Sequence, residues 1–316
     1  MSRQPNLLLI VAATAFVSVG LWATLSPADG TPVHRRLLRQ DDDDDDADVS
    51  NDVNAQLVTR IDRGDRNDIT ARGDVEVRNN FDGSTSGLDT TVDLDVQQTA
   101  ETDRNDLKGR ADVDIDNDIR KTDDAEVEVE ALVIQNVGDG DDNDADGEVD
   151  VDVDNKARGG NGKADVDNVD TFVHGGVGQS VLGGSGDNDL EGKLDIHLDN
   201  RYGSHVNHAD NEVYGDIIQQ ILGGSRNDLE GRATIDVYNR YDSGADRGGV
   251  FVDLGIGQAA KGRDNDIYGS ADVNVDNRAD NKDDVDTRAT VTVSQSVEGD
   301  KNENDSRVNV NIVNRG

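Results

Sequence analysis

The side chains of this chain best suited to chemistry are carboxylates and carboxamides, and both recur at set spacings. Asp142, Asp144 and Asp146 alternate with Asn143 and Ala145 ahead of Gly147, and Asp187 and Asp189 flank Asn188 just after a glycine-rich stretch at residues 183–186. Oxygen donors at alternate positions suit a hard cation such as Ca2+. These five aspartates are the metal-ligand candidates, and Ca2+ is the ion they imply; no cofactor is required. His205 and His208 lie in a polar loop without cysteine, a pattern that reads as surface histidine more readily than as a metal centre. No Ser/His/Asp or Cys/His set stands in a non-repeated context, and carboxylate pairs occur everywhere, so none is diagnostic. The expectation is a protein that is not an enzyme.

The carboxamides are more ordered still. Asn67, Asn105, Asn143, Asn188, Asn227, Asn265 and Asn302 each open the same phrase, Asn-(Asp)-x-x-Gly-x-Ala-x-Val-x-Val-x-Asn. Asn79, Asn117, Asn155, Asn200, Asn239, Asn277 and Asn314 close it, twelve positions later each time. The steps between copies are 38, 38, 45, 39, 38 and 37 residues. A further amide precedes most copies: Gln98, Gln135, Gln179, Gln220, Gln258 and Gln295. A primary amide carries both donors and acceptors, so identical amides stacked in a column can bond to one another along it. These twenty residues are the candidate structural ladder.

The elements that would place them are strands. Within each phrase apolar or small residues occupy every second position, as at Ile267, Ala271, Val273 and Val275, with polar residues between. A second alternating segment precedes it, as at Val250, Val252, Leu254 and Ile256, and a Gly-containing turn joins the two. Alternation bounded by Gly, Asn and Asp signals strands, and a constant period of this length signals stacked copies of one unit. The fold class expected is all-β: a β-solenoid of about seven rungs with two strands per rung. The 45-residue step puts its extra residues at 156–163 and 183–186, in corners, where a solenoid tolerates insertion. The first alternating segment (Val53, Ala55, Leu57, Thr59, Ile61) is degenerate, as an end cap would be.

Composition narrows the partners. Net charge is −37, and Asp outnumbers Glu 57 to 11, with 8 Lys against 23 Arg. That balance excludes a basic nucleic-acid surface and favours cations or basic matrix components. Aromatics are 3% and hydrophobic residues 33%, so the core would be thin. Cysteine is absent, so no disulfide framework is available. Residues 1–28 read as an export signal: Arg3, an apolar run over 7–25, then Ser26, Pro27 and Ala28. The length of that run leaves an uncleaved signal anchor as the alternative and the one expected membrane contact. Residues 29–48 form an acidic linker or propeptide with a dibasic pair, Arg35 and Arg36, and six aspartates at 41–46; the repeat domain occupies 49–316.

Four resemblances attach to these residues. Arg36, Leu37, Leu38 and Arg39, followed by acid, are similar to the RxLR host-targeting motif of oomycete effectors, whose bodies are helical. The opening of an EF-hand loop matches 142–147, although Val153 stands where that loop ends in Glu. Residues 183–190 resemble the nonapeptide of calcium β-rolls, with Asn188 in place of Asp. The widest resemblance spans the repeat. An apolar residue, x, Gln, three residues, Gly, two residues and Asn recur at Gln220/Gly224/Asn227, Gln258/Gly262/Asn265 and Gln295/Gly299/Asn302. This is similar to the curlin repeat of secreted functional amyloids. Curlin repeats are shorter and close with Gln, whereas here the period is 38 and the closing residue Asn. The resemblance implies a secreted, self-assembling (homopolymeric) protein of extracellular or cell-surface fibres or matrix. A monomeric, acidic, Ca2+-binding surface adhesion protein is the alternative. An outer-membrane β-barrel is the third reading and would require aromatic girdles.

Overall fold

The computed structural model describes residues 8–12, 47–61, 67–101, 103–138, 141–157, 165–203, 205–241, 245–279 and 285–315. Within them the chain is all-β without helix, as the alternation predicts. The strands are β1 (Leu8–Ala12), β2 (Ala47–Ile61), β3 (Asn67–Ala100), β4 (Asn105–Val137), β5 (Asn143–Ala157), β6 (Asp165–Leu182) and β7 (Asp187–Tyr202). They continue as β8 (His205–Leu222), β9 (Arg226–Tyr241), β10 (Ala245–Arg263), β11 (Asn265–Ala279), β12 (Val285–Asp300) and β13 (Glu303–Arg315). The rest of the export signal, Arg35 and Arg36, the RxLR-like residues, the aspartate run and most of the 156–163 insertion lie outside the described residues.

Two parallel ladders face each other. Sheet A stacks β2, the second half of β3, the second half of β4, then β6, β8, β10 and β12. Sheet B stacks the first halves of β3 and β4, then β5, β7, β9, β11 and β13. Each sheet-A strand and the sheet-B strand that follows it form one rung, which makes seven rungs and 14 parallel segments. Every pairing between rungs is parallel, so neither an antiparallel meander nor an up-and-down barrel describes this chain. β1 alone runs antiparallel, beside residues 56–60 of β2.

The phrase stays in register through all of these pairs. Asn67 lies over Asn105, Val75 over Val113 and Asn79 over Asn117. The 45-residue step leaves the ladder untouched: Asn143 still pairs with Asn188 and Asn155 with Asn200. Extra length is expelled to the corners because only there does it leave the main-chain ladder intact.

Side chains alternate inward and outward, and the inward set builds the core. Val92, Leu94 and Val96 of sheet A meet Val75, Val77, Val113 and Ile115 of sheet B, and the same columns continue to Val252, Leu254, Val273 and Val275. A smaller cluster fills the A-to-B corner, where Leu107, Leu190 and Leu229 meet Val137, Val181 and Ile221. Another fills the opposite corner, where Tyr202 and Tyr241 stack with ring centroids 5.7 Å apart. Turning the chain through the A-to-B corner requires left-handed backbone. Arg104, Asp142, Asp264 and Lys301, each just before the opening Asn, have φ between 52° and 59°. The longer corners use glycine instead; Gly224 has φ 93°, and a Cβ there would fall 2.3 Å from Asn227 Oδ1.

Candidate assembly site: amide ladders, acid columns and the open rung

The opening asparagines form one unbroken chain of amides. Asn67 Nδ2 donates to Asn105 Oδ1 at 2.9 Å, and the pattern repeats through Asn143, Asn188, Asn227 and Asn265 to Asn302 at 2.7–3.1 Å. The closing asparagines do the same from Asn79 through Asn117, Asn155, Asn200, Asn239 and Asn277 to Asn314. In both columns each rung donates to the next one along the chain.

The glutamine column runs the other way. Gln135 Nε2 donates back to Gln98 Oε1 at 2.8 Å, and Gln179, Gln219, Gln258 and Gln295 continue it. Each amide also reaches across the core to sheet-B carbonyls: Gln135 Nε2 lies 2.9 Å from Leu107 O and 2.8 Å from Asp146 O. Glutamine therefore ties the two sheets together as well as successive rungs. The recurrence of glycine in the phrase, at Gly109, Gly147, Gly192, Gly231 and Gly269, follows from this. A Cβ on Gly147 would sit 3.0 Å from Gln135 Oε1 and 2.9 Å from Val177 Cγ1, so glycine gives the amide room to cross on the inner rungs, while the first and last copies carry Ala71 and Ser306 at this position.

One ladder residue expected from the spacing is displaced. Gln220 is half-exposed on the outer face, and its neighbour Gln219, 1% exposed, occupies the column. The parity of β8 decides this: Val213, Ile217 and Ile221 point inward, so 219 does too and 220 cannot. Polar groups also meet the closing asparagines from sheet A on five of the seven rungs, with Val127 and Val250 standing at that position on the other two. Asn51, Thr90, Thr171, Asn211 and Thr287 of sheet A face the closing asparagines and bond to them, as Asn200 Nδ2 does to Asn211 Oδ1 at 2.8 Å. The residue type varies from rung to rung, so no motif marks them.

The metal-ligand candidates do not wrap an ion-sized space. The EF-hand-like loop expected at 142–147 is instead the start of a strand: β5 begins at Asn143, and extended backbone spaces alternate carboxylates by roughly 6.6 Å along one face. Asp142 lies in the corner, where its Oδ1 accepts the Asp187 backbone N–H at 3.2 Å. Asp187 is engaged by Arg226, whose Nη2 lies 2.6 Å from its carboxylate. The neighbouring Asp141 accepts N–H groups from Ser185 and Gly186, and these bonds, the Ser185 N–H first, hold its carboxyl below the usual range.

Asp144, Asp146 and Asp189 belong to columns on the outer face of sheet B. One column reads Asp68, Asp106, Asp144, Asp189, Asp228 and Asp266, one carboxylate per rung. Partial burial, followed by repulsion from Asp228 and Asp144, pushes Asp189 up from 3.8 to about 6. Asp144 and Asp228 are raised for the same two reasons, burial first. A neighbouring column interleaves cations, with Arg110 Nη1 3.0 Å from Glu148 and Lys193 Nζ 2.7 Å from Asp195. Among the described residues, three potential ligating side chains converge at Asp170, His208 and Asp210, on the outer face of sheet A. His208 Nε2 lies 2.9 Å from Asp210 Oδ2. By sequence His208 is a plain surface residue, and its partners come from the strand pairing, which brings Asp170 beside Asp210.

The stack also has an exposed terminal face. In rungs 2 to 6 the phrase's inward valines and isoleucines are essentially buried, whereas Val308, Val310 and Ile312 of β13 are 50, 43 and 40% exposed. Ala289, Val291 and Val293 of β12 are only partly covered. Comparison with known protein families, with curated proteins and with solved structures returns no match.

Proposed function

We propose that this chain is a non-enzymatic structural repeat protein, secreted to the cell surface or extracellular space, where copies add end to end into fibres or matrix. The observation that carries this reading is the face of rung 7. It offers the same columns through which rungs 2 to 6 stack, with Val308, Val310 and Ile312 exposed and one edge of β12 and β13 facing no further strand among the described residues. Such an edge is a template for another parallel strand. The columns are directional, so extending them requires head-to-tail contact, the heterologous kind that propagates as a filament. The curlin-like Gln-Gly-Asn corner supports the same reading, as does the export-signal pattern of residues 1–28.

The test is electron microscopy and fibre diffraction of the purified chain with and without salt. Filaments with a meridional spacing near ~4.8 Å are expected. A monodisperse monomer at every concentration and ionic strength would refute assembly. A second reading draws on the aspartate column of sheet B: a monomeric surface protein that binds Ca2+ or basic matrix components along that column. Calorimetric titration with Ca2+ separates the two, since the second reading requires binding by a protein that stays monomeric.

A further inference from the structure

The two outer faces of the solenoid differ. Sheet B presents acid columns relieved by Arg and Lys, whereas sheet A is largely apolar toward the C-terminal ends of its strands on rungs 3 to 6. Ile218 is 61% exposed there, with Leu182 at 48%, Leu222 at 41% and Phe172 at 37%. Phe172, Tyr214 and Phe251 add a row of rings with centroids 5.4 and 5.6 Å apart. On rungs 3 to 6, the columns from Leu132 to Leu222 carry charge only at Asp216 and Lys261.

Glycine interrupts this face where the fold does not ask for it. A Cβ on Gly257 would meet nothing within 4 Å, and one on Gly178 would meet only Ile134 Cγ1 at 4.0 Å. Neither is a turn residue, and an interior strand glycine costs stability relative to a branched residue. Strand pairing places them in one column that reads Ile134, Gly178, Ile218, Gly257 over four successive rungs. Knob and hole alternate.

We infer that this face docks against the same face of a second copy. A two-fold axis parallel to the strands, passing between β6 and β8, reverses the order of the rungs. Ile134 then falls opposite Gly257 of the second copy, and Gly178 opposite Ile218, so each knob meets a hole. Leu182 falls opposite Leu222, Asn136 opposite Ala259 and Ser180 opposite Gln220. The contact is isologous, each residue being used by both copies. These columns span about 20 Å along the strands and about 19 Å across four rungs. That buries on the order of 800 Å² in total, the size of a weak, reversible contact. Within these columns no carboxylate faces another, and the first like-charged pair, Glu130 opposite Asp253, stands at their edge, where salt screens the repulsion between two copies of net charge −37. This inference is independent of the end-to-end reading, because it uses a side of the stack and not its end.

Sedimentation equilibrium of the full chain tests it, with Gly257→Val, Gly178→Val and Val310→Lys variants. Val310→Lys charges the open face of rung 7 and blocks end addition, leaving the side-to-side dimer as the species measured. In that background dimer is expected, favoured by salt. Adding Gly257→Val or Gly178→Val should weaken it tenfold or more, while the melting temperature holds or rises because valine suits a strand. A Val310→Lys chain that stays monomeric at all concentrations and salts would overturn the inference. So would a folded Gly257→Val, Val310→Lys chain that dimerises as well as its parent.

Discussion

At the scale of single residues, the amides carry more of the architecture than their number suggests. A buried amide left without partners costs about 1–3 kcal/mol per group, more than a satisfied one contributes. Gln219 bonds to Gln179 Oε1, Leu190 O and Glu230 O, and it accepts from Gln258. Its neighbour Gln220 points outward. Replacing Gln219 by Leu should cost about 2–5 kcal/mol of unfolding free energy, and replacing Gln220 by Leu less than about 0.5 kcal/mol. Denaturant melts of the pair check the assignment; equal losses would contradict it. The same two residues show what a sequence reading resolves here. The opening and closing asparagines were legible because type and spacing recur in all seven copies. Distance to the following glycine points to Gln220, but two glutamines are adjacent and strand parity selects Gln219. Thr90, Thr171 and Asn211 carry no motif, because the residue type at that position is not constant and Val127 and Val250 fill it on other rungs.

At the scale of the strand, alternation foretold the inward faces well, since burial imposes period 2 on every rung. The outward faces were opaque. Their residues are free to vary, and only the parallel register reveals which ones stand in line, as with Asp144 beside Asp189 or Gly178 beside Ile218. Those alignments have a titration signature. Asp189, raised to about 6, holds its proton in the folded chain more tightly than in the unfolded one, where 3.8 applies. Asp144, Asp150, Asp152 and Asp228 are shifted the same way, burial being the first cause for each. The folded state then binds more protons, so its stability falls as pH rises between about 4 and 6 and recovers on acidification. Melting temperature should be higher near pH 4.5 than near pH 7.5, and the difference should shrink in high salt or with Ca2+. Asp141 and Asp276, held low by bonds from Ser185 and Arg278, oppose the trend only below the ordinary carboxylate range. A melting temperature that drops steadily from neutral pH to pH 4.5 would count against the acid columns.

At the scale of the whole molecule, contacts are confined to a rung and its immediate neighbours. Stability is therefore a sum of rung and interface terms, and the two ends are the weakest parts. That confinement also has a mechanical meaning. Pulled by its termini, such a chain has no distant clasp to hold it, and the tension meets one rung at a time. Each rupture should free the residues between one opening asparagine and the next, 37 to 39 in five of the six steps and 45 between Asn143 and Asn188. At 3.3–3.6 Å per extended residue that is a lengthening of about 130 Å per event, with one step of about 155 Å. Optical-tweezer traces should show a staircase of near-equal treads with a single longer one, and the position of the long tread would report from which end the molecule unravels.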